Sequence, residues 1–139
     1  MKYALLLTLA ASFSLPVAAQ EPAVKKVPAP YTSPTSGKDM YAAYCASCHG
    51  AKGQGDGPVA VHLKVLTPDL SQMAKNNKGV FPGARVAQVI RGQIEAQSHG
   101  TLDMPVWGPV FRSFNERQES VVQTRVSNLT KYLETMQAK

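Results

Sequence analysis

Cys45-Ala46-Ser47-Cys48-His49 constrains this chain more than any other stretch of it. Two cysteines three apart, with a histidine directly after the second, form the pattern to which haem is attached covalently. The thiols add to the porphyrin vinyl groups, and the imidazole is delivered to one face of the iron. On a helical turn, residues three apart share a face, so Cys45 and Cys48 both reach one edge of a macrocycle while His49 lies under its centre. Two plainer readings fail on the rest of the chain. A structural zinc site needs four ligands, and the sequence holds only these two cysteines. A dithiol redox pair belongs beside a βαβ pattern, and none is visible.

Met1 to Ala19 has the parts of a secretory signal: Lys2 as the positive start, an apolar run from Ala4 to Leu15, and small residues at Val17-Ala18-Ala19 suited to cleavage before Gln20. The run falls short of the ~20 residues that span a bilayer, so removal is expected rather than retention as an anchor. Export, here to a bacterial periplasm, agrees with the cysteines, since thioether formation takes place outside the cytoplasm and leaves no thiol for a disulfide. Residues 20 to 35 carry Pro22, Pro28, Pro30 and Pro34 with little apolar periodicity. They read as an extended leader laid over the surface, ahead of a single domain at residues 36 to 139. The formal charge of +6 becomes +5 once Lys2 leaves with the signal. A basic balance alone points to nucleic acid, but an exported haem protein makes that partner a poor one.

The domain reads as all-α. Ser36 and Asp39 have capping-pair spacing, and Gly37, Tyr41, Tyr44 and Cys48 recur on one face. Four glycines between Gly50 and Gly57 forbid a regular element and let backbone pass close to a flat ligand. The carbonyl of Pro58, which follows them, is the expected acceptor for the second ring nitrogen of His49. Val59 to Leu66 reads as a short helix or turn. Ala84 to Gln93 is a second helix with Val86, Val89 and Ile90 on its inner face, Gly92 marking its end. Gly100 to Phe111 reads as an irregular loop. Asn115, with Gln118 as a reciprocal cap, opens a last helix of about six turns striped by Val122, Val126, Leu129, Leu133 and Met136.

Iron held by His49 needs a ligand on its other face, from among Met40, Met73, Met104, Met136, His62 and His99. Met40 and Met136 lie on helices, where methionine fills space. Met73 stands in a polar stretch that reads as a mobile surface loop. Met104 differs because Pro105 holds it extended and keeps it off a helix. It is the expected second metal ligand. His62 and His99 read as solvated or locally hydrogen-bonded, and Trp107 as a haem-wall or core aromatic whose N–H suits a propionate at the rim.

Taken together, these residues resemble a class I c-type cytochrome of the small bacterial monohaem kind, over roughly Gly37 to Gln137. Gly37 and Tyr41 stand where that family has a glycine and an aromatic on its N-terminal helix, and Leu129 and Tyr132 match its C-terminal pair. The resemblance implies four or five helices wrapped around one covalent haem c, with the N- and C-terminal helices crossing at the glycine. It implies Cys45, Cys48 and His49 as the attachment motif, Pro58 as the residue whose carbonyl accepts the histidine's proton, and Met104 as distal ligand. The implied activity is one-electron transfer between redox protein partners, a donor dehydrogenase or reductase and a terminal oxidase or reductase, with no bond chemistry. Lys52, Lys64, Lys75, Lys78, Arg85, Arg91 and Arg112 would face an acidic docking surface or simply solubilise the chain. A haem enzyme or ligand sensor with an open distal site, and a cytochrome subunit of a larger oxidoreductase rather than a free monomer, are the competing expectations.

Overall fold

The computed structural model describes residues 28–94, 104–114 and 118–138. The expected signal segment, His99 and Asn115 lie outside them. Among the described residues there are six α-helices and no strand: α1 (Gly37–Tyr44), α2 (Ala46–His49), α3 (Met73–Asn76), α4 (Gly83–Arg91), α5 (Trp107–Phe114) and α6 (Glu119–Thr135), with single 3₁₀ turns at Ala60–His62 and Leu70–Gln72. None is long and apolar enough to cross a membrane.

Ser36 caps α1 by accepting a hydrogen bond from the Asp39 backbone N–H at 3.2 Å, as the spacing predicts. Gly92, in the left-handed conformation, ends α4. The stripe of α6 is buried through Val122, Val126, Leu129 and Leu133. The helix is shorter than expected and starts after Gln118, whose side chain makes no capping bond.

α1 packs on α6, and Gly37 sets how closely. A Cβ there would run into the Asn128 carbonyl oxygen and come within 2.8 Å of the Tyr132 Cβ. Neither obstacle can rotate away. Gly37→Val should therefore destabilise the fold by about 3 kcal/mol, the upper end of overpacking costs, read as a lower denaturation midpoint.

Two sequence expectations are corrected. Residues 107–114 form a helix rather than continuing an irregular loop. Gly108 and Pro109 disguise it, yet a proline in the first turn loses only an N–H that has no intrahelical partner anyway. Met73 opens α3, half-buried against the core, instead of riding a mobile surface loop.

Glu119 fastens the open ends of three helices together. Its carboxylate meets Arg91 of α4 at 2.7 Å and Arg112 of α5 at 3.4 Å. The Arg91 hydrogen bond, with Arg112 adding to it, holds the Glu119 carboxyl below its ordinary pKa. A group depressed in the folded state stabilises above its unfolded pKa and loses that contribution as pH falls through the folded one. Glu119→Gln should lower Tm at neutral pH by no more than a few degrees, because the ion pair is exposed. In a thermal scan series, the difference from wild type should vanish in acid.

Residues 28–33 form a strap without regular structure that turns at Pro34 and Thr35 into α1, and carbonyls of this segment are used. Tyr44 donates to the Pro30 carbonyl at 2.7 Å, and Asn128 of α6 donates to the Pro34 carbonyl at 3.0 Å.

Candidate haem-binding site

Cys45 closes α1 and opens α2, with the backbone N–H groups of Cys48 and His49 bonded to its carbonyl at 3.1 and 2.9 Å. The motif is thus one helical turn, and both thiols are free. Burial, and secondarily the neighbouring Cys48, pushes the Cys45 thiol up to about 12.

Two openings meet at this turn. A cavity of about 430 Å³ is lined by Cys45 and His49, by Val86 and Ile90 of α4, by Leu129 and Leu133 of α6, and by Met104 and Trp107. A narrow cleft of about 40 Å³ reaches Cys48 and again touches His49, Met104 and Trp107. The folded chain therefore brings together Cys45, Cys48, His49, Met104 and Trp107, which the sequence scatters over sixty positions. Trp107 is buried, its ring 4.8 Å from that of Tyr44 and 5.9 Å from that of Phe111. His62 is exposed and lines neither opening.

Pro58 is not part of the arrangement. Among the described residues, the Pro68 carbonyl lies within hydrogen-bond distance of His49 Nδ1, at 3.4 Å. The path of the glycine loop explains the difference. It folds back along α2, with Gly57 N–H on the Cys48 carbonyl and Val59 N–H on that of Ser47, which leaves Pro58 exposed. Gly55, with φ +79°, lies against the Thr67 carbonyl, where a Cβ would come within 2.5 Å of its oxygen. Leu70 N–H then bonds the Gly53 carbonyl at 2.6 Å, drawing residues 67–70 beneath the imidazole.

That segment is held from far along the chain. Gln137 donates to the Leu70 carbonyl at 2.9 Å and accepts from Ala74 N–H at 2.8 Å, while Ala138 N–H bonds Ser71. On the other side Tyr41, its hydroxyl pushed above its ordinary pKa chiefly by burial, donates to the Gly50 carbonyl at 2.6 Å. Met73 also lines the large cavity. Its place in a polar stretch hid it from the sequence; Pro68 was signalled only by the Asp69 turn, whose carboxylate caps Ser71 at 2.8 Å.

The donor set and the shape suit one kind of group. Among the described residues no three His, Cys, Asp or Glu side chains gather to hold a bare metal ion. One imidazole, two thioethers, those of Met73 and Met104, and two thiols around an apolar slot instead fit a flat macrocycle that brings its own ring nitrogens. Arg85, Asn76 and Asn77 add a polar lining suited to carboxylates. Thr67, in the cleft wall, has a buried hydroxyl with no hydrogen-bond partner among the described residues.

A small helical domain wrapped around a covalent haem attachment turn is the class of protein these features define. The family model described as Cytochrome c matches residues 34–137, and the chain belongs to that family. Its members carry covalently bound haem, generally transfer electrons, and are commonly exported. Comparison with curated proteins and with solved structures gives no match.

Proposed function

We propose that this protein is a periplasmic one-electron carrier holding a single haem c, with His49 and Met104 as axial ligands. The observation that carries the reading is that His49 and Met104 line both openings at the attachment turn, whereas Met73 lines only the larger one. Bound there, haem supplies an Fe(III)/Fe(II) couple. The chain's own residues set its properties. Cys45 and Cys48 tether the group, and the Pro68 carbonyl receives the His49 Nδ1 proton, which fixes the ring and raises the basicity of its other nitrogen. The Met104 thioether, with the aliphatic walls from α4 and α6, favours the less charged ferrous state and raises the potential.

Partners of this carrier are redox proteins with acidic docking faces. Between Gly50 and Arg91 the chain has six Lys or Arg residues against two Asp, whereas α6 has two of each sign. In the wall of the cleft that reaches Cys48, Leu66 is 90% exposed. An exposed apolar side chain at the cleft, on a stretch of chain rich in Lys and Arg, suits brief, steered encounters.

The test is the visible spectrum of the purified protein, oxidised and then reduced. A weak red-edge charge-transfer band from ferric iron bound by methionine sulfur, with no response to carbon monoxide, is the expected result. Immediate carbon monoxide binding would replace this reading with an open-site enzyme or sensor.

A further inference from the structure

Arg125 is the largest fully buried side chain among the described residues and has no part in the attachment turn or the cavity lining. It sits on the apolar stripe of α6, three residues after Val122 and four before Leu129. A guanidinium in a core is expensive unless its charge and donors are used. Here the plane lies over three rings: Tyr31 of the strap at 5.0 Å, and Phe114 and Phe111 of α5 at 5.3 and 5.7 Å.

Its hydrogen bonds run further. Arg125 donates to the Thr32 hydroxyl at 3.2 Å, and that hydroxyl lies 2.8 Å from the Tyr44 hydroxyl. Tyr44 spends its own proton on the Pro30 carbonyl, so it must accept from Thr32. The relay therefore has one direction, from Arg125 through Thr32 and Tyr44 to the strap backbone. Tyr44 is also the ring against which Trp107 lies, and Trp107 begins α5 three residues after Met104. Strap, buried cation and aromatic wall thus close on the segment that presents Met104 to the cavity.

We propose that Arg125 and Thr32 are positioning residues for Met104: they clamp α5 and Trp107 from behind, and so hold the thioether at the iron. The proposal rests on the assignment of Met104 as distal ligand. Weakening the clamp releases the ligand before it unfolds the domain. The relay bond is removed by Thr32→Val and restored by Thr32→Ser, both at a half-buried site where folding is retained. Arg125→Met removes the whole junction at similar length.

The experiment follows the red-edge methionine band and the far-ultraviolet circular dichroism during heating of the holoprotein, and the rate of carbon monoxide binding to the reduced form. In wild type the band and the helices should be lost together, and carbon monoxide should not bind. In Thr32→Val the band should disappear at a lower temperature than the helices, and the reduced protein should take up carbon monoxide, which wild type does not. Arg125→Met should show the larger effect, and Thr32→Ser should behave as wild type. Variants that merely melt earlier, with band and helices still lost together and the iron still inert, would overturn the clamp alone. A wild type that already lacks the band and takes up carbon monoxide would instead remove the Met104 assignment, and the clamp with it.

Discussion

Replacing both Cys45 and Cys48 by serine should give a chain from which all haem is extracted on denaturation, whereas the wild-type chain keeps essentially all of it. The argument is one of bonding rather than affinity. The cavity walls and His49 remain in the double variant, so haem still has an apolar slot and an imidazole, but both disappear when the helices melt. Thioether bonds do not. Either single variant should retain haem through the bond left to it, because Cys45 and Cys48 stand on the same helical turn and each reaches the macrocycle edge independently. Haem content of the polypeptide after unfolding and extraction checks both statements. Retention by the double variant would mean that attachment does not run through these thiols.

Met104→Ala should keep covalent haem and lose the high potential. Removing the thioether takes away a ligand that favours Fe(II), and a drop of roughly 100 mV or more is expected, within the ~0.8 V that axial ligation spans. The reduced variant should bind carbon monoxide. Trp107, Val86 and Leu133 still line the cavity, so the helical signal should change little. A spectroelectrochemical titration reads the potential, and a value equal to wild type would show that another side chain ligates the iron.

What the sequence revealed and what it hid divide along physical lines. The attachment turn was legible because its chemistry depends on spacing within five residues. So were the Ser36 cap, the Gly92 stop and the α6 stripe, each governed by neighbours three or four positions away. Met104 stood out because Pro105 restricts it locally. Pro68 was missed in favour of Pro58 because the acceptor for His49 depends on how an irregular glycine loop folds back, which no periodicity encodes. The start of α5 was masked by Gly108 and Pro109, residues that signal loops in general and are tolerated in a first turn in particular. Arg125 did leave a mark, since it occupies a stripe position where a charge has no business unless it is enclosed. Only the fold shows that the enclosure is made by Tyr31, Phe111 and Phe114.

The hold of Gln137 on the loop beneath His49 sets an order of events for the maturing chain. Its bonds to Ala74 and Leu70 bridge 63 and 67 residues, whereas the turn joining Cys45, Cys48 and His49 closes over four. Contacts that distant form late, after the entropy of closing a long segment has been overcome, while a single helical turn forms in well under a millisecond. The attachment turn is accordingly set by its immediate neighbours, whereas the floor beneath His49 waits on Gln137 from the other side of the chain.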